Sequence, residues 1–410
     1  MSKTYSKTIH EALGRDPVHP FPARMAPGIA LDILSGETDR IRVLDPMMGS
    51  GTVLAVARAS GHCAIGIDID PLAVLLARVW TTAVEIEDVR TKAAEILERA
   101  KDDFSSRPAS EAYPRHGDAE TRHFVRYWFD SYSRRQLACL AEAIHGVRND
   151  PVRDALWCAF SRLIITKQAG ASLAMDLSHS RPHKAFQRAP IKPFNKFLAA
   201  VDHVLKNCLS KKQPDRGPAT QVSLGDARNL LIASGTIDLV LTSPPYLNAI
   251  DYMRCSKFSL IWMGYTVGEL GGIRTESVGT ECSDHESLEN TVIQEIISNL
   301  RLRPKLGTRQ EAILAHYIDD MRRAVAEAAR VLSPGGRAVY VVGENTVRGT
   351  FIPNANIVAA VAERAGLSME HKRSRNLPAN RRYLPPPKAR NGTDGLHGRM
   401  RREVILSFSK

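Results

Sequence analysis

Leu44-Asp45-Pro46-Met47-Met48-Gly49-Ser50-Gly51-Thr52 is the stretch on which the fold reading turns. A short apolar run, residues 41–44 (IRVL), precedes it. TVLAVARA, residues 52–59, follows it and ends at Ser60-Gly61. A second apolar run, residues 63–69, carries Gly66 and stops at Asp70-Pro71. Strand, glycine-rich turn, helix and strand in this order predict parallel strands joined by a right-handed crossover. Gly49 and Gly51 let the backbone approach a ligand where any Cβ would clash. The helix beginning at Thr52 offers free N–H groups and the positive end of its dipole, which suits a carboxylate or a phosphate. The usual nucleotide readings fail here. A phosphate loop needs Gly-Lys-Ser/Thr, and a dinucleotide fingerprint needs glycine three residues after Gly51, where Leu54 stands.

The same rhythm returns far downstream. Residues 221–224 lead into Gly225-Asp226, and residues 237–241 lead into Thr242-Ser243-Pro244-Pro245-Tyr246. A long helix over 313–332 stops at Ser333-Pro334-Gly335-Gly336, and strand 337–343 follows. A helix over 357–365, a strand over 367–373 and a last strand over 403–409 close the chain. The pattern predicts an α/β fold: a doubly wound, seven-stranded, mostly parallel sheet whose last two strands are antiparallel neighbours at one edge. Ligands of such sheets bind at the carboxyl ends of the strands. Between the two blocks the character is helical, with helices expected over 84–101, 121–144, 152–170 and 193–209. The expected organisation is one catalytic domain from 1–80 and 221–410, a helical insertion over 81–220 and an irregular loop insertion over 265–310. Residues 252–264 read as a helix with Trp262 in the core. Trp128, with Tyr127 and Phe129, is left open between core and groove.

The strand ends carry acids and the second block carries prolines. Asp68, in Gly66-Ile67-Asp68-Ile69-Asp70, is placed to accept from two ribose hydroxyls, and Asp226 to accept from an adenine amino group. Together with a turn that takes a methionine carboxylate, this order of features points to S-adenosylmethionine. Consecutive prolines at a strand exit stiffen the turn and donate no backbone hydrogen bond. A base amine has its lone pair delocalised into the ring. Hydrogen bonds from its N–H groups to Ser243 and to the Pro244 carbonyl would make the nitrogen more tetrahedral and aim the lone pair at a methyl sulfonium. Tyr246 can stack on a base, which must leave the duplex to reach such a pocket.

Asp45-Pro46 with Gly49-Ser50-Gly51-Thr52, and Thr242-Ser243-Pro244-Pro245-Tyr246, resemble motifs I and IV of the amino-group DNA methyltransferases. His19-Pro20-Phe21-Pro22-Ala23-Arg24-Met25 is similar to that family's N-terminal cofactor-binding motif. The resemblance covers roughly residues 19–80, 221–264 and 311–410. It implies the class I S-adenosylmethionine-dependent methyltransferase fold, with Ser243, Pro244, Pro245 and Tyr246 catalytic. The cofactor-binding residues it implies are His19, Pro20, Phe21, Pro22, Arg24, Asp45, Pro46, Gly49, Ser50, Gly51, Thr52, Asp68 and Asp226. The Ser-Pro-Pro-Tyr form is similar to that of cytosine-N4 enzymes, whereas adenine-N6 enzymes more often carry Asp at the first position. Met47 stands where the family usually has an aromatic. The alternatives are adenine-N6 methylation, RNA guanine-N2 methylation, and a DNA-binding protein that keeps the fold without activity. No large recognition domain follows the last strand, so target recognition is expected in an insertion.

Bulk properties agree with a polyanionic partner. The 410 residues carry 56 Lys+Arg against 44 Asp+Glu, a formal charge of +12. Residues 371–402 hold ten Lys/Arg and one acid, Asp394. Arg375, Arg381, Arg382 and Tyr383 from this run are expected to contact DNA, double-stranded in preference to single-stranded. A restriction endonuclease is a possible cognate partner. Six dispersed cysteines without C-x-x-C spacing suggest neither a disulfide framework nor a metal site, and no metal is expected. No apolar run reaches membrane-spanning length, and the N-terminus lacks an apolar signal-like core. A cytoplasmic protein without membrane association is therefore expected.

Overall fold

The computed structural model describes residues 7–21, 25–178, 182–212, 217–245, 247, 251–280, 291–300, 306–347, 350–377 and 402–410. Seven strands form the main sheet: β1 (Arg42–Asp45), β2 (Cys63–Asp68), β3 (Thr220–Leu224), β4 (Ile237–Thr242), β5 (Leu332–Gly343), β6 (Ser368–Asn376) and β7 (Arg402–Ser409). Their spatial order is β6-β7-β5-β4-β1-β2-β3. β1 pairs with β4, β4 with β5 and β2 with β3 in parallel. β7 runs antiparallel between β5 and β6. This is the doubly wound, mostly parallel sheet expected from the strand rhythm, with the antiparallel pair at one edge. β1 and β4 are almost wholly buried, which is why they read as continuous apolar runs and do not alternate.

The chain divides into two compact units: Met1–Arg40, Met48–Leu224 and Asp251–Arg274 in the first; Ile41–Met47, Gly225–Ile250 and Thr275–Lys410 in the second. The first unit is mainly helical. Its helices Thr52–Ala59, Pro71–Thr81, Ile86–Ser106, Ser131–His145, Asp150–Ile164 and Met253–Leu260 share one apolar core that includes Trp80, Phe129, Phe160, Phe197, Phe258 and Trp262. Trp262 is fully buried, as its helical spacing predicts. The helix expected over 121–144 is two, Ala119–Trp128 and Ser131–His145. Asp130 breaks it by accepting from Tyr132 and Ser133 N–H as the second helix's N-cap. The helix expected to run to 170 stops at Ile164.

In the second unit, Thr308–Val331 is the long helix ahead of β5, and Asn354–Arg364 the helix ahead of β6. Ser333-Pro334-Gly335-Gly336 was expected to separate helix from strand. It lies instead inside β5 as a bulge: Ile237 pairs with Leu332 and Leu239 with Arg337, so the four residues loop out opposite Asp238. Gly335 takes φ 77° there. The segment read as irregular after residue 264 contains two helices, Val267–Glu276 and Thr291–Asn299. Among the described residues no helix is long and apolar enough to cross a membrane.

Candidate active site

In the first unit the glycine-rich turn is built on β2. Met48 N–H donates to the Ile67 carbonyl (3.1 Å) and Gly51 N–H to the Met48 carbonyl (2.9 Å). Gly49 and Gly51 take φ 52° and 84°. A Cβ on Gly51 would stand 2.9 Å from Ala77 Cβ, so this glycine also lets the Pro71–Thr81 helix pack close. One on Gly66 would run into Leu54 and Met48, which explains the glycine inside an otherwise apolar strand. The helix Thr52–Ala59 starts at Gly51 without any side-chain cap. The Ser50 and Thr52 hydroxyls are buried with no partner among the described residues. An uncapped helix start with two unsatisfied hydroxyls fits the carboxylate and amine end of an amino-acid ligand.

Asp68 closes this turn. Its carboxylate accepts from Gly49 N–H (2.8 Å) and Asp70 N–H (2.9 Å), one on each oxygen. Each oxygen keeps a second lone pair. Burial pushes the Asp68 carboxyl above its ordinary value, against the backbone hydrogen bonds from Asp70, Gly49 and Ile69. Asp70, which the sequence marked only as a strand end, caps the Pro71–Thr81 helix through Leu72 N–H and accepts from Ser256 Oγ at 2.6 Å. Burial, with Asp68 nearby, lifts its carboxyl from 3.8 to about 7. The Asp-Pro pair, a helix N-cap followed by N1 proline, was the signal available for that helix.

His19 is buried against Ser161 Oγ (3.0 Å), which itself donates to Ser259 Oγ (2.8 Å). Phe21 is buried and stacks on Tyr252, with ring centroids 6.0 Å apart. Pro20 is half-buried. Pro22 and Arg24 lie outside the described residues.

In the second unit, Asp45 and Thr242 end the paired strands β1 and β4. Thr242 Oγ1 donates to the buried Asp45 carboxylate at 2.7 Å, and the same carboxylate oxygen accepts from Met47 N–H at 3.2 Å. This couples Asp45-Pro46 to the strand that delivers Ser243. Ser243 Oγ donates to the Val341 carbonyl at 2.9 Å, which spends its only hydrogen and leaves the oxygen an acceptor. Tyr317, buried on the long helix, donates its hydroxyl to the Pro245 carbonyl at 3.1 Å. The sequence held no signal for Tyr317 or Val341, since both act from distant elements. Tyr246 lies outside the described residues.

Two expectations meet competing partners. Asp226 was expected to receive an adenine amine, yet Arg228 occupies both of its oxygens through Nε, Nη2 and the backbone N–H. Burial opposes the charged form, but these bonds outweigh it and hold the Asp226 carboxyl below its ordinary value. Arg375 was expected to contact DNA. It lies in β6 directly across from Glu403 of β7 and pairs with it, both side chains being largely covered. That guanidinium is committed to the sheet edge. Arg381, Arg382 and Tyr383 lie outside the described residues.

No known protein-family profile matches the chain. It is similar to the Type II methyltransferase M.MvaI of Kocuria varians, 22% identical across 95% of this chain and 89% of that protein. It is also similar to the Type II methyltransferase M.BsoBI of Geobacillus stearothermophilus, 23% identical across 79% of this chain and 72% of the relative. Among solved structures, a SAM-dependent methyltransferase of Methanosarcina mazei aligns over 92% of this chain and 96% of its own, at 9% identity and TM-score 0.33. The chain thus has relatives named as Type II methyltransferases along nearly its whole length, while its fold rests on the strand order and not on that loose superposition.

Proposed function

We propose that this chain transfers a methyl group from S-adenosylmethionine to the exocyclic amine of a DNA base, cytosine N4 in preference to adenine N6. The observation that carries the reading is the state of Ser243. Its hydroxyl hydrogen is spent on Val341, so toward a ligand Oγ acts as a hydrogen-bond acceptor, the role an amine N–H requires. The similarity to Type II methyltransferases, near full length for M.MvaI, supports the reaction class.

The chain's own residues divide the work. The uncapped helix start at Gly51, with the Ser50 and Thr52 hydroxyls, receives the methionine end of the cofactor, and the spare lone pairs of Asp68 receive ribose hydroxyls. Asp226 is not assigned to the adenine, because Arg228 uses its oxygens. Bound, the cofactor supplies an electrophilic methyl group on a positively charged sulfur. Ser243 Oγ and the Pro244 carbonyl accept the hydrogens of the target amine, which localises its lone pair and orients it. Tyr246 stacks on the flipped base. Tyr317 and Thr242 are positioning residues: one holds the Pro245 carbonyl, the other ties the strand exit to Asp45.

The test is label transfer from methyl-labelled S-adenosylmethionine to purified duplex DNA, to RNA and to neither. Label retained on DNA supports the reading. Label on RNA alone, or cofactor binding with no transfer to either polymer, contradicts it.

A further inference from the structure

The chain carries a net charge of +12, and Arg375, expected to contact DNA from β6, is consumed within the sheet. A different surface stands out in the helical unit. Between Asp154 and Asp202 the chain has seven Lys/Arg and one acid, Asp176. Part of this stretch, residues 182–192, crosses the junction of helices Ala119–Trp128 and Ser131–His145. It is pinned there by Ala189 N–H donating to Asp130 Oδ2 at 2.8 Å, on the carboxylate that caps the second helix. A second tether is a short antiparallel contact: Ala185 N–H donates to the Leu173 carbonyl (2.9 Å), and Leu173 N–H donates to the Trp128 carbonyl (2.8 Å).

This strap presents Lys184 and Arg188 to solvent. Lys184 Nζ lies 4.8 Å from the centre of the Tyr127 ring, which is itself 50% exposed. Some cations of the same unit are neutralised: Arg90 by Glu87, Lys92 by Glu95, Lys101 by Glu98 and Arg115 by Glu142. Lys184 and Arg188 pair with no carboxylate among the described residues. The nearby carboxylate of Asp130 is engaged by the backbone N–H groups of Tyr132, Ser133 and Ala189. A solvated basic face alone would not be informative. Here the tethered strap holds Lys184, which has no carboxylate partner among the described residues, beside an exposed aromatic ring. The Tyr127 ring packs edge-on against Trp128, and Trp128 against the buried Phe258 of the Met253–Leu260 helix.

We propose that the 182–192 strap, with Tyr127, is a contact surface for the phosphate backbone of duplex DNA. This rests on the proposed DNA methyltransferase reading and deepens it by placing the substrate's backbone on the helical unit. Lys184 and Arg188 neutralise phosphates and release counterions, and the exposed Tyr127 ring packs on a neighbouring sugar. Such contacts fix the position of the duplex without reading its sequence.

The experiment compares wild type, K184E/R188E and a control reversal, R90E/K101E, which makes the same net charge change at paired sites. Binding of a fluorescent duplex is measured by anisotropy across a salt series, with cofactor affinity measured alongside by calorimetry. The strap variant is expected to bind duplex at least about tenfold more weakly, with a salt slope smaller by about 2, at ~0.9 for each phosphate no longer neutralised. Its cofactor affinity stays unchanged, and the control stays within about twofold of wild type on the same salt scale. Equal weakening in both variants, or an unchanged slope in the strap variant, would overturn the surface. A wild type that binds RNA but not DNA also overturns it. In that case label transfer by wild type fails on DNA as well, so failure of the reaction class is distinguished from failure of the surface alone.

Discussion

Ser243 and Asp70 show how much a single hydrogen bond decides. Ser243 becomes an acceptor only because Val341 offers a carbonyl 2.9 Å away. Ser243→Ala removes that acceptor, and the expected result is a loss of about 10- to 100-fold in kcat, corresponding to ~1–3 kcal/mol for one hydrogen bond to a reacting amine. Cofactor affinity should be unchanged, since Ser243 is assigned to the target amine and not to the cofactor. A variant with full kcat removes Ser243 from the reaction. Asp70 predicts a pH effect. Its folded carboxyl is raised to about 7 by burial, so the folded chain binds a proton that the unfolded chain has released above 3.8. The stability this provides is complete below about pH 4 and is lost as pH rises through about 7. Asp70→Asn keeps a side-chain oxygen for Leu72 N–H and carries no charge. Its melting temperature is expected to fall less than that of wild type between pH 5 and 8. Parallel curves for the two proteins would show that Asp70 is not the group responsible.

The turn between β1 and the Thr52–Ala59 helix works as a unit, and its glycines test it. Gly51→Ala meets a positive φ and Ala77, whereas Gly61→Ala meets a positive φ of 87° in open space. Both bear the left-handed backbone cost of ~1–2 kcal/mol. Only Gly51→Ala is expected to lose more than that in thermal stability, together with most of its affinity for S-adenosylmethionine in calorimetry. Equal behaviour of the two variants would mean that the close approach at Gly51 has no role. This turn was legible in the sequence because strand, glycines and helix are local and consecutive. The buried strands β1, β2 and β4 were legible as short apolar runs, and the exposed β3 and β6 from the order of elements around them. The failures come from hydrogen-bond and strand partners, some distant in the chain and some local. Asp130 breaks a helix whose apolar periodicity continues across it, because its side chain serves two elements at once. Ser333–Gly336 reads as a turn, but the pairing of β4 with β5 absorbs it as a bulge. Asp226 carries the right residue at the right strand end, yet Arg228, two positions away, takes its oxygens.

Across the molecule as a whole, the basic residues divide by what faces them. Arg375 sits in the densest run of positive charge in the sequence and is consumed by Glu403 in the sheet. Lys184 and Arg188 sit in a stretch with a single acid, Asp176, and are exposed, Lys184 beside Tyr127. Composition alone ranks the first run above the second, but Arg375 of the first is taken by Glu403 while Lys184 and Arg188 of the second stay exposed. The roles proposed for the glycine-rich turn, the Ser243 acceptor and the exposed strap stand or fall with methyl transfer to a base in DNA. The most direct test is to incubate the purified chain with duplex DNA and methyl-labelled S-adenosylmethionine, digest the DNA to nucleosides and identify the labelled one by mass spectrometry. Label in N4-methylcytosine is the expected result. Label in N6-methyladenine would overturn the choice of base while keeping amine chemistry, and label in 5-methylcytosine, on ring carbon, would contradict the role given to Ser243.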